Sequence, residues 1–158
     1  MILVSACLIG INCKYNGGNN YNLQVAELVR QGKAIPICPE QLGGLPTPRL
    51  PAEIKGGSAR DVLEGTAAVV RMDGVDVTSS YVKGALEVLK LCKDVGIELA
   101  ILKARSPSCG KGGVYDGTFS GRLVDGDGIT AHVLMENGIR VITEYELTIL
   151  DKGGGKLL

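Results

Sequence analysis

The chain has 158 residues, 45% of them hydrophobic and 22% charged, which supplies one domain with a core and excludes a disordered polymer. Its 17 basic and 17 acidic residues cancel, so it carries no electrostatic footprint for a polyanion. Stable nucleic-acid binding is not expected, and a small molecule is the expected partner.

Residues 2–6 are an apolar run that reads as a buried strand. The start Met1-Ile2-Leu3-Val4 lacks the basic region and long apolar stretch of a secretory signal, and the longest apolar runs are strand-sized. No membrane span is expected, and the cytoplasm is the expected compartment. Residues 10–20, rich in Gly and Asn, read as loop. Residues 23–30 carry Leu23, Ala26, Leu28 and Val29 at helical spacing, with Gly32 as the stop. A second strand is expected over 34–38, where Pro36 demotes it or bends it. Residues 39–49, dense in Pro and Gly, read as a loop with one helical turn, of the kind that surrounds ligands.

Asp73-Gly74 lies between the β-branched stretches 67–72 and 75–77 and predicts a hairpin. Thr78 or Ser79 is the expected cap of a helix over 80–95, whose apolar stripe runs Val82, Ala85, Leu86, Leu89, Cys92. Gly96 ends it. Residues 97–102, apolar at nearly every position, read as a central parallel strand. A second glycine-rich loop spans 106–113. Residues 115–124 turn at Asp116-Gly117, a short helix follows from Asp127-Gly128 to Glu136, and residues 139–142 form the fourth strand. Alternating strands and helices predict a single-domain α/β fold, Rossmann-like, with a mostly parallel sheet and helices on both faces. The domain is expected over residues 1–146, with 147–158 as a flexible tail around Gly153-Gly154-Gly155.

In such folds ligands bind beyond the carboxyl ends of the strands. Three of the five cysteines fall there: Cys7 ends the first strand, Cys38 ends the second and Cys109 lies in the loop after the third. Each is followed by glycine (Gly10, Gly43-Gly44, Gly110), which lets backbone approach a bulky ligand. An odd cysteine count in a reducing compartment does not suggest disulfides. Closely spaced Cys pairs, the usual zinc signature, are missing, and the one histidine, His132, falls in a predicted helix as a structural or exposed residue. Three thiolates suit a cubane iron–sulfur cluster that leaves one iron open to substrate. Cys13 is either a fourth ligand or a bystander in its loop. Cys92 falls on the apolar stripe and reads as core. Glu40, beside Cys38, suits a general base, or else a first-turn carboxylate favoured by the helix dipole. Ser106 before Pro107 suits a turn, an N-cap or a proton relay. Arg49, Lys103 and Arg105 either offset thiolate charge or are solvated loop charges.

The segments Val4-Ser5-Ala6-Cys7-Leu8-Ile9-Gly10, Cys38-Pro39-Glu40 with Gly43-Gly44-Leu45 and Pro48-Arg49, Asp76-Val77-Thr78, Ser106-Pro107-Ser108-Cys109-Gly110 and Tyr115-Asp116-Gly117-Thr118-Phe119 together resemble the thiouracil desulfidase family. The resemblance implies a 4Fe-4S cluster held by Cys7, Cys38 and Cys109, with a free iron that takes the sulfur of 2-thiouracil. Water then replaces sulfur, giving uracil and hydrogen sulfide. It also implies a catalytic carboxylate and serine, best matched by Glu40 and Ser106, with Ser108 adjacent. Oligomeric state is left open. Two other readings stand beside this one. The first is a non-catalytic module closing a zinc or cluster site with Cys7, Cys13, Cys38 and Cys109. The second is a metal-free enzyme with Cys109 as nucleophile.

Overall fold

The computed structural model describes residues 1–147. In chain order these form β1 (Ile2–Ser5), a 3-10 turn (Ala6–Ile9), α1 (Leu23–Arg30), β2 (Ala34–Ile37), α2 (Pro39–Leu42), β3 (Ala52–Lys55) and α3 (Ala59–Glu64). There follow β4 (Ala68–Arg71), α4 (Thr78–Val95), β5 (Leu99–Leu102), β6 (Val114–Tyr115), β7 (Leu123–Val124), α5 (Ile129–Glu136) and β8 (Arg140–Thr143). Residues 144–147 are helical, and Leu147, expected in the tail, is buried. The rest of the expected tail lies outside the described residues.

The central sheet has the order β2-β1-β5-β8, and every pairing in it is parallel. Alternation sorts its side chains. Leu3, Ala100, Leu102 and Val141 meet α4 and α5 on one face, while Ile2, Val4, Leu99, Ile101 and Ile142 meet Val25 of α1 and Leu147 on the other. Both faces are covered, which is why β1 and β5 are apolar at almost every position. Pro36 sits on β2, an edge strand, where its missing N–H costs no ladder bond to a further neighbour.

Three expectations change. The hairpin at Asp73-Gly74 keeps its turn, with the Arg71 N–H donating to Val75 O at 2.8 Å, but shrinks to one antiparallel bridge between Val70 and Asp76. β4 pairs along its length with β3 instead, from Ala52 opposite Arg71 to Lys55 opposite Ala68. The helix cap also moves. Val77 is the N-cap, without a side-chain bond, because the Thr78 hydroxyl accepts the Val69 N–H at 2.9 Å and ties α4 to β4. Finally, the buried face of α4 runs Tyr81, Gly84, Ala85, Val88, Leu89, Cys92, and Leu86 faces solvent.

One packing contact governs the site. A Cβ on Gly84 would stand 2.0 Å from Pro39 O, and one on Gly43 2.0 Å from Ser80 O. α2 and α4 therefore touch backbone to backbone. That closeness brings Tyr81 of α4 to Glu40 of α2.

Candidate active site

A cavity of about 480 Å³ opens at the carboxyl edge of the parallel sheet, within the range of small-molecule sites. Cys7, Cys13, Cys38 and Cys109 all line it. So do five of the six aromatic residues of the chain: Tyr15, Tyr81, Tyr115, Phe119 and Tyr145.

Each cysteine is placed by a different device. Cys7 lies in the 3-10 turn that closes β1, where Gly10 takes a left-handed conformation (φ 93°) and its N–H donates to the carbonyls of Ala6 and Cys7. Cys38 is the N-cap of α2, with Pro39 preset for the first helical position. Cys109 rides the Ser-Pro-Ser-Cys-Gly loop, and α5 pins that loop. The N–H groups of Gly128, Ile129 and Thr130, unsatisfied within the helix, donate to the carbonyls of Gly110, Pro107 and Ser108 at 2.7, 2.9 and 2.8 Å.

Cys13 is not a remote loop residue. It is buried and stands against the thiols of Cys38 and Cys7, and those contacts, Cys38 first, push its own ionisation up. The same contact is the chief cause that draws the Cys38 thiol down to about 7, against burial and with help from the Gln41 N–H. Cys7 is lowered too, first by Cys13 and, against burial, by the Asn20 side chain and the Lys103 charge. Burial pushes Cys109 up, although the Ser5 hydroxyl donates to it. Ser5, which the sequence does not single out as a site residue, also accepts the Lys103 N–H at 2.9 Å, so it ties β1 to the end of β5 directly beneath the thiol. Cys92 is buried in α4, away from the cavity, as expected of a core residue.

Glu40 lines the cavity in a buried ion pair with Arg49, the side chains 12% and 6% exposed, and Nη2 and Nε stand 2.5 and 2.6 Å from Oε2. Arg49 is thus no solvated loop charge. It also donates to Cys13 O at 3.0 Å and to Pro46 O at 3.2 Å, tying the loop of Cys13 to α2. Tyr81 is buried and bonds to Glu40. Desolvation, then the Glu40 charge, pushes the phenol well above its ordinary range, so it acts as a donor. The Tyr81–Ala85–Val88–Cys92 period in α4 is the signal that could have found it.

The two serines separate cleanly. Ser108 is buried and its hydroxyl pairs with Thr130 Oγ1 at 2.8 Å. Ser106 lines the cavity, and its Oγ accepts the N–H groups of Ser108 and Cys109 at 3.1 and 3.0 Å. Among the described residues its own O–H has no acceptor. Lys103 reaches Glu144 Oε1 at 2.5 Å and the Tyr145 ring, 5.6 Å from its centroid. Arg105 lies at the cavity in an exposed position. His132 lies in α5, half-buried and outside the cavity.

The family model for 2-thiouracil desulfurase matches residues 2–146. The chain belongs to this family. Two relatives place this 2-thiouracil desulfurase family member more closely. YbbK of Bacillus subtilis (strain 168), an uncharacterized protein, is 51% identical over 147 residues, covering 93% of this chain and 97% of that one. The solved structure of the [4Fe-4S]-dependent thiouracil desulfidase TudS superposes with a TM-score of 0.84 at 40% identity, covering 96% of this chain and 95% of TudS. The α/β fold and the family resemblance read from the motifs therefore both hold. Among the described residues no helix is long and apolar enough to cross a membrane. Nor do any three His, Cys, Asp or Glu side chains there gather in a way that could hold a single metal ion.

Proposed function

We propose that this desulfurase family member removes sulfur from 2-thiouracil or a related small thiolated base, giving uracil and hydrogen sulfide, with a 4Fe-4S cluster held by Cys7, Cys38 and Cys109. The observation that carries this reading is the cavity itself, which gathers four of five cysteines and five of six aromatic rings. The donor set fits the group. Three soft thiols stand on three separate loops at one sheet edge, with Lys103 nearby to offset their charge. When bound, the cluster supplies a thiophilic iron for the substrate sulfur, which weakens the C=S bond.

The chain's own residues do the rest. Glu40, fixed by Arg49 and Tyr81, takes a proton from the attacking water. The water oxygen bonds to the ring carbon, Glu40 returns its proton to the departing sulfur as the carbon–sulfur bond breaks, and both protons of the water leave as hydrogen sulfide. Ser106 offers its O–H to the base. Formally, a thiocarbonyl and water become a carbonyl and hydrogen sulfide, with no oxidant or reductant. The five cysteines, none in a disulfide, suit a reducing compartment, and we place the enzyme in the cytoplasm. The neutral charge argues for a free small molecule over a nucleic acid.

One observation favours a second reading: Cys13 touches both Cys38 and Cys7, as a fourth ligand of a closed site would. Iron and acid-labile sulfide, measured on protein reconstituted without oxygen, test both. About four of each per chain in wild type and in Cys13→Ser, together with sulfide release from 2-thiouracil, is the expected result. Loss of the metal with Cys13→Ser would favour the closed site. No iron after anaerobic reconstitution would sink the cluster mechanism.

A further inference from the structure

The Tyr115-Asp116-Gly117-Thr118-Phe119 motif takes no part in the chemistry above, yet it is built onto the cavity by an unusual device. Glu53, on β3, is 8% exposed, and one oxygen, Oε2, accepts the N–H of Gly117 at 2.8 Å and of Phe119 at 3.0 Å. Gly117 (φ 88°) lies so close to β3 that a Cβ would stand 2.6 Å from Ile54 O. Asp116 closes the loop from within by accepting the Thr118 N–H at 3.0 Å.

The result is a strained residue. Among the described residues only Arg105 and Phe119 combine a side chain with left-handed backbone, at φ 67° and 58°, and both line this one cavity. For a bulky residue that conformation costs free energy and persists only where its surroundings enforce it. A buried carboxylate taking two N–H groups of the loop is such an enforcement. Phe119 is also the only Phe of the chain, half-buried, with no hydroxyl to spend on solvent.

We propose that Phe119 is the wall on which the flat ring of the substrate stacks, and that Glu53 is its positioning residue. The inference rests on the reading that the substrate is a cyclic thioamide. Stacking on an aromatic face needs no sulfur, so it acts on substrate and product alike. It therefore contributes uniform binding and leaves the chemical step alone.

The test uses anaerobically reconstituted protein with iron content checked for each variant. With Phe119→Ala, KM for 2-thiouracil and the calorimetric dissociation constant of uracil each rise about ten-fold, with kcat and iron content kept. Phe119→Tyr restores both. Glu53→Ala reproduces the loss, and Glu53→Gln, whose amide oxygen can take both N–H groups, restores it. Should Glu53→Ala fail to fold, Glu53→Asp, which withdraws the carboxylate by one methylene, carries that arm. Phe119→Ala with both constants within about two-fold of wild type overturns the stacking wall. Glu53 variants that bind normally, beside a weakened Phe119→Ala, overturn the positioning role. Loaded wild type that releases no sulfide from 2-thiouracil overturns the parent reading, and this one with it.

Discussion

At the scale of single residues, the cavity holds a carboxylate, Glu40, that is largely enclosed and paired with Arg49. Glu40 was legible beside Cys38 as a candidate base, and the structure puts both at the cavity. Its partners were not legible, since Arg49 lies in a loop and Tyr81 on a helix far along the chain, and only folding brings them together. The pairing makes two predictions that separate chemistry from stability. Glu40→Gln keeps the shape and removes the base, so kcat falls by about 10²–10⁴ while iron content stays unchanged. Arg49→Ala leaves the Glu40 charge buried without its partner and costs about 3–5 kcal/mol, measured by urea unfolding of the cluster-free protein. A Glu40→Gln variant with wild-type kcat would remove the base assignment. Ser106 reads differently: its oxygen already holds two N–H groups of the cysteine loop. Its substitution therefore mixes loop stability with catalysis, and Ser106→Thr, which keeps the hydroxyl, is the informative comparison with Ser106→Ala.

At the scale of elements, the parallel strands and the long helices were readable because each is set by its own residues. Apolar runs make β1 and β5, and α1, α4 and α5 end at or next to glycine or asparagine. β3 and α3 went unread. β3 is a short strand whose buried residues include Glu53, so it lacks an apolar signature. α3 had a signal, since Ser58 and Asp61 form a reciprocal capping box. The hairpin expectation held only for the turn and one bridge, because a turn sequence fixes the turn and leaves the main pairing partner to tertiary structure. The α2–α4 contact yields the prediction for this scale. Gly84 is mid-helix, where Ala raises helix propensity by about 1 kcal/mol. Here the added methyl meets Pro39 O at 2.0 Å, a backbone atom that cannot swing aside as a side chain would. Gly84→Ala therefore destabilises by about 1–3 kcal/mol and displaces Glu40 from Tyr81, so kcat falls as well. A stabilised or fully active Gly84→Ala would show that α2 yields without cost.

At the scale of the whole molecule, the topology brings three cysteines distant in sequence to one cavity. The turn after β1, the step from β2 into α2 and the loop after β5 share only the sheet edge, and this convergence was legible once the alternation of strands and helices was read. The concentration of aromatic side chains was not, because Tyr15, Tyr81, the Tyr115–Phe119 motif and Tyr145 come from four separate segments without a common period. A group bound at once to Cys7, Cys38 and Cys109 acts as a cross-link among elements that the bare fold holds only by hydrogen bonds and packing. Cross-links over such loop lengths stabilise by about 2–4 kcal/mol. For a chain of this size each kcal/mol shifts the melting temperature by about 2–4 °C, so loading raises it by about 5–15 °C. Calorimetry before and after anaerobic reconstitution measures the shift, and limited proteolysis of the 106–113 loop reports whether it arises there. Substituting Cys109 by Ser should abolish most of the gain, whereas Cys92→Ser, in the core and outside the cavity, lowers the stability of both forms alike and leaves the difference between them intact. An equal melting temperature with and without bound iron would mean that the three loops are not joined by one group, and would return the cysteines to separate roles.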